Sequence, residues 1–142
     1  MNKYMNKAIE IAKNSDKDVP VGAIIVKDNN IIAISCNQRE MKNETSAHAE
    51  ILAIQKANKV LNNWRLDECD MYVTLEPCPM CGWAIIQSRI KNLYFGSYDF
   101  QYGAFSSSLN LKQFSKSNIN VFGGICEKEC DDILKKFFHD IR

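Results

Sequence analysis

At 142 residues the chain has the length of one domain, and a domain of that size buries about two-thirds of the surface its unfolded form exposes. Its 46% hydrophobic and 25% charged residues exclude the disordered and fibrous classes. Eighteen Lys and Arg against 17 Asp and Glu leave a formal net charge of +1, so any site for a polyanion must be a local patch rather than a global field.

The first seven residues, MNKYMNK, hold no apolar run of signal-peptide length, and no later stretch approaches the ~20 apolar residues of a membrane span. The chain is therefore read as cytoplasmic. Cysteines stand at 36, 69, 78, 81, 126 and 130. In a reducing compartment these point to metal ligation or burial rather than to a disulfide framework. Cys36, Cys69, Cys126 and Cys130 are read as free, buried thiols.

Helical spacing of Met5, Ala8, Ile9 and Ala12 predicts a first helix that stops at Asn14, Ser15 and Asp16. Val21 to Val26 and Ile31 to Ser35 read as two strands of a hairpin turning through Lys27 to Asn30. Asn37 to Ser46 is polar and aperiodic, and is expected to be a loop. From Ala47, the stripe Ala49, Leu52, Ala53, Ala57, Val60 and Leu61 predicts a second helix, with Thr45 or Ser46 as N-cap and with His48 and Glu50 in its first turn.

Met71 to Leu75 reads as a buried strand ended by Pro77, and Pro79 suits an early position of a third helix continuing through Ile86. Short strands follow at Asn92 to Phe95 and Ile119 to Phe122. Cys130, Ile133, Leu134, Phe137, Phe138 and Ile141 stripe a closing helix. Strands alternating with helices after the hairpin argue for an α/β fold whose sheet is covered on both faces.

Cys78 and Cys81 form a Cys-x-x-Cys at the start of the third helix, where residues three apart share a face. The positive end of the helix dipole there favours thiolates. A catalytic zinc takes three protein ligands and keeps a fourth position for water, and His48 supplies the third ligand. Two thiolates cancel the charge of the ion, yet its water remains far more acidic than bulk water. A nearby carboxylate must then move the protons, and Glu50 is the candidate. His48 and Glu50, two apart, do not share a face of a regular helix, so the site is expected off the helix end, with both helices aiming their N-termini at one metal.

Taken alone, a Cys-x-x-Cys also fits a redox pair or half of a structural zinc site. A structural site needs a fourth protein ligand, and the nearest spare thiol, Cys69, lies at the far end of the preceding strand, roughly 20 Å away at strand rise. The combination of His48, Glu50, Pro77, Cys78 and Cys81 is the signature of zinc deaminases that act on cytosine or adenine.

At these residues the sequence resembles the bacterial tRNA-specific adenosine deaminases of the cytidine deaminase-like superfamily. The likeness runs through VPVGAIIV at Val19 to Val26, SAHAEILAI at Ser46 to Ile54, YVTLEPCPMC at Tyr72 to Cys81, SRI at Ser88 to Ile90, and the pair Phe137 and Phe138. It implies one zinc-dependent deaminase domain over residues 1–142, a three-layer α/β/α sandwich with a mixed five-stranded sheet. It also implies a hydrolase that converts adenosine to inosine at the wobble position of a tRNA anticodon. One Zn²⁺ per subunit, a homodimer and the tRNA anticodon stem-loop as partner follow from the same likeness. By resemblance Val21 and Asn37 would contact the flipped adenine, the backbone at Ala49 would hold the ring, and Asp99 would meet the anticodon-loop backbone.

The chain departs from that family at Gln101, where a basic residue is usual, at Phe105 and Ser106, where a small residue and glycine are usual, and at His139, where arginine is common. Lys135, Lys136 and Arg142 are the remaining candidates for a basic patch. Two other functions use the same features. A deaminase of a free base or nucleoside, of guanine or cytosine type, would share the zinc site but close the pocket with a lid. A non-catalytic, zinc-stabilised RNA-binding protein would close the metal with a fourth ligand.

Overall fold

A computed structural model describes residues 2–141. Helix α1 (Asn2–Ala12) precedes the hairpin strands β1 (Gly22–Lys27) and β2 (Asn30–Cys36). The hairpin turns through two residues, Asp28 and Asn29, both at positive φ, the conformation that matches the twist of paired strands and that Asp and Asn tolerate. After β2 come α2 (Arg39–Lys42), α3 (Ala49–Leu61), β3 (Cys69–Leu75), α4 (Pro79–Gln87) and β4 (Asn92–Ser97). The chain closes with α5 (Leu111–Ser115), β5 (Asn120–Phe122) and α6 (Glu127–Asp140). No described helix is long and apolar enough to cross a membrane.

The five strands form one mixed sheet in the order β2-β1-β3-β4-β5, with β1 antiparallel to both neighbours and β3, β4 and β5 parallel. Alternation along the central strands sends side chains to two cores. Ala23, Ile25, Met71, Val73, Leu93 and Phe95 pack with Ala49, Ala53, Ala57, Ile85 and Ile86 of α3 and α4. On the opposite face Ile24, Val26 and Tyr72 pack with Met5 and Ala8 of α1 and Cys130 of α6. The α/β/α sandwich with a mixed five-stranded sheet is thus present as expected.

One short helix, α2, departs from an expected loop, and a second, α5, lies where the sequence carried no expectation. In the stretch from Asn37 to Ser46, the carboxylate of Asp18 accepts from the Glu40 N–H through both oxygens at 3.2 Å, holding the single turn of α2. At α5, Asn110 caps its own turn by accepting from the Lys112 N–H at 3.1 Å. One turn of helix has no periodicity to detect.

Two registers bring the site together. Gly22 pairs with Cys36 and Leu75 pairs with Ser97, so the start of β1 and the ends of β2, β3 and β4 meet at one edge of the sheet. In open α/β sheets the crevice beyond the carboxyl ends of the parallel strands is where ligands bind. Gly22 also lets α1 press directly on β1: a Cβ there would lie 2.0 Å from the carbonyl oxygen of Ala8. Gly22→Ala is therefore expected to cost about 1–3 kcal/mol by overpacking, read as a lower midpoint in urea at unchanged slope. An unaltered midpoint would mean that α1 has room to shift.

Candidate active site

His48 and Cys78 each stand as the N-cap of a helix, α3 and α4 respectively, with extended backbones (ψ 153° and 173°). His48 is therefore not in the first helical turn, and neither Thr45 nor Ser46 caps α3. The N–H of Ala49, the first helical donor, is instead taken by Oδ1 of Asn37 at 2.8 Å, while Nδ2 of Asn37 donates to the Val19 carbonyl at 2.9 Å. Because His48 lies outside the helix, the spacing that keeps His48 and Glu50 off one helical face no longer separates them. Pro79 takes the first position of α4, where its missing N–H costs nothing.

The imidazole Nδ1 of His48 lies 3.8 Å from Cys78 Sγ and 3.3 Å from Cys81 Sγ, and the three donor atoms fall within 4.8 Å of one another. A tetrahedral zinc with Zn–S near 2.3 Å and Zn–N near 2.0 Å sets its donors about 3.5–3.8 Å apart. The trio fits such an ion in both donor chemistry and spacing. Cys69 begins β3 and is not in the cluster. Among the described residues no fourth protein ligand joins the trio, the arrangement of an open, catalytic site.

Hydrogen bonding from Cys81, and then from His48, pulls the Cys78 thiol down to about 4, despite its partial burial. Its neighbour Cys81 is pushed up, first by bonding to Cys78 and then by its own burial. Ligation of a metal by both cysteines needs both sulfurs deprotonated, so binding of a cation by the trio would release protons.

Glu50 is 4% exposed. Desolvation pushes its carboxyl up to about 7, against a backbone hydrogen bond and the attraction of His48, both of which lower it. A carboxyl poised near neutrality is suited to both taking and giving a proton. Glu50 and His48 line a cavity of about 580 Å³ together with Val21, Asn37, Cys78 and Asp99. Ala49 is fully buried and does not line it.

Arg39, Glu76, Phe100, Tyr102, Leu134 and Phe138 also line this cavity, and the sequence pattern assigned none of them to the site. Glu76 is 1% exposed. Its carboxylate accepts from the N–H groups of Asp99 (3.2 Å), Phe105 (3.1 Å), Ser106 (2.8 Å) and Ser107 (3.1 Å), and from the hydroxyls of Ser106 and Ser107. Burial alone would raise its carboxyl, but the Ser107 hydroxyl and these N–H groups hold it below the usual range. Gly103 leaves space for it, since a Cβ there would lie 2.3 Å from the carboxyl. The detectable signal was an acidic residue at the exit of a largely buried strand, a type almost never buried unless paired.

Glu76 thus pins the loop from Asp99 to Ser107 over the cavity. Glu76→Gln replaces an acceptor with an NH₂ group facing donors. The N–H groups of Phe105, Ser106 and Ser107 are expected to exchange with solvent at least about tenfold faster, roughly 1.4 kcal/mol of lost protection. Unchanged exchange would show that the loop holds itself. Lys135 and Lys136 are exposed on α6 and do not line the cavity, and Arg142 lies outside the described residues.

Residues 1–142 match the MafB19-like deaminase family. The tRNA-specific adenosine deaminase of Bacillus subtilis (strain 168) is 41% identical over 143 residues, covering 98% of this chain and 89% of the relative. That of Rickettsia bellii (strain RML369-C) is 42% identical over 142 residues, covering 96% of each. A solved structure from work on A-to-I editing by tRNA:A34 deaminases at the wobble position of transfer RNA matches with a TM-score of 0.88 at 38% identity, covering 94% of this chain and all of that one. With this fold and this trio at the sheet edge, the chain belongs to the tRNA-specific adenosine deaminase family.

Proposed function

We propose that residues 1–142 form a single zinc-dependent deaminase domain that hydrolyses adenosine to inosine at the wobble position of a tRNA anticodon. The observation that carries this reading is the closeness of His48, Cys78 and Cys81 in a cavity that buried Glu50 also lines. In this reading the three hold one Zn²⁺, which when bound supplies a Lewis acid that makes water nucleophilic near neutrality. Glu50 takes the proton of the attacking water and passes it to N1 of the adenine ring, then takes the second proton from the new C6 hydroxyl and delivers it to the departing amine as the C6 carbonyl forms. The C6–O bond forms, the C6–N6 bond breaks, and ammonia leaves.

Val21 forms an apolar wall for the ring. Asn37 offers its carboxamide to the ring edge, and the Ala49 N–H serves by fixing that carboxamide. Asp99 meets the anticodon-loop backbone. An anticodon loop already presents unpaired bases, so turning one into the cavity costs little unstacking. The six free cysteines suit a reducing compartment, the cytoplasm. A homodimer is part of the reading, and Met80 and Trp83 of α4, each about two-fifths exposed, offer apolar surface for it.

Substrate choice tests this reading. Zinc-loaded protein given a wobble-adenosine anticodon stem-loop, free adenosine, cytidine, guanine and cytosine in separate reactions should convert only the RNA, as resolved by mass spectrometry. Conversion of a free base or nucleoside with the stem-loop untouched would keep the zinc chemistry and assign the small-molecule substrate instead.

A further inference from the structure

We propose that Phe100 and Tyr102 form a stacking rim that holds a nucleobase adjacent to the target adenosine, so that the RNA is gripped beside the cavity chiefly by ring stacking. The inference rests on the deaminase reading above. Phe100 is 84% exposed and Tyr102 58% exposed, yet both line the cavity that contains Glu50 and His48. Phe138 of α6, 46% exposed, lines the same cavity.

The backbone that carries Phe100 and Tyr102 is held in place. Oδ1 of Asp99 accepts from the N–H groups of Gln101 (3.1 Å) and Tyr102 (3.0 Å), and the Gly103 N–H donates to the Asp99 carbonyl at 2.7 Å. Glu76 fixes the loop from below through Asp99 and residues 105–107. An aromatic column carries the order outward: buried Phe95 meets Tyr98 edge-on at 5.1 Å, and Tyr98 lies nearly parallel to Phe100 at 6.5 Å. The backbone share of the conformational cost of presenting Phe100 is therefore met before any ligand arrives.

Charge supplies little of the grip here. Apart from His48, the one cationic side chain lining the cavity is Arg39, against the carboxylates of Glu50, Glu76 and Asp99. Unpaired bases stack on aromatic side chains, at about 1–3 kcal/mol per base. Continuity with the cavity makes the occupant a neighbouring base of the same strand.

The test uses an anticodon stem-loop with adenosine at the wobble position and 2-aminopurine next to it, whose fluorescence falls when it stacks. Wild type should quench the probe and deaminate the adenosine. The double variant Phe100→Ala/Tyr102→Ala should lose the quenching and raise KM at least about tenfold, with kcat within a few-fold, zinc content unchanged and the salt dependence of binding unchanged, since no phosphate contact is lost. Phe100→Trp should restore KM. Equal quenching and KM in the double variant would overturn the rim and leave those rings to a protein partner. Loss of kcat with KM and quenching retained would equally overturn it. Absence of deamination by wild type would fault the proposed function instead, a separate outcome.

Discussion

Glu50→Ala is expected to lower the deamination rate by about 10² to 10⁴, roughly 3–5 kcal/mol of barrier, while zinc content stays at wild-type level. The two parts of this result have different physical origins. Glu50 is outside the trio of donor atoms, so its removal leaves the metal ligands intact. Its carboxyl is held near neutrality mainly by burial, and the apolar enclosure that prepares it for proton transfer opposes its ionisation in the folded chain. Removing it should therefore leave the unfolding temperature no lower than wild type, the pattern of a group kept for activity at the expense of stability. Turnover close to wild type in the alanine variant would remove Glu50 from the mechanism, and a large drop in unfolding temperature would assign it a structural role.

Cys81→Ser is expected to lose the metal. A hydroxyl in place of the thiol leaves the site two strong ligands, and changes even to groups behind the ligands cost metal sites about 10–100-fold in affinity, so loss of a ligand should exceed that. Elemental analysis of the purified variant should then find zinc well below one ion per chain and no detectable deamination. Because Cys81 is wholly buried in α4, wild-type protein stripped by a chelator is the companion measurement: it should lose activity and regain it with zinc. Stoichiometric zinc in Cys81→Ser would exclude Cys81 as a ligand.

The chemistry of the site was legible in the sequence because ligand type and spacing are local properties. His48, Cys78 and Cys81 could be grouped from donor chemistry, and Glu50 from the need for a proton carrier. How His48 is placed was not legible. Thr45 and Ser46 are the residue types that cap helices, yet α3 is capped at its first N–H by Asn37, twelve residues upstream, a partner that no local window can find. Glu76 escaped for the same reason: each of its hydrogen-bond donors lies 23 or more residues downstream. The hairpin was readable from Asp28 and Asn29, and the burial of β3 from the run Met71 to Leu75. The mixed direction of the sheet came from family likeness, since strand order depends on crossovers that residue patterns do not encode.

The measurement that bears most directly on wobble deamination is a map of inosine along an intact tRNA whose anticodon begins with adenosine, made after incubation with zinc-loaded wild-type protein and, in parallel, with Glu50→Ala. The expected result is inosine at the wobble position alone, and only with Glu50 intact. Inosine at other adenosines, equal conversion by Glu50→Ala, or a transcript left unedited by the zinc-replete wild type would contradict it.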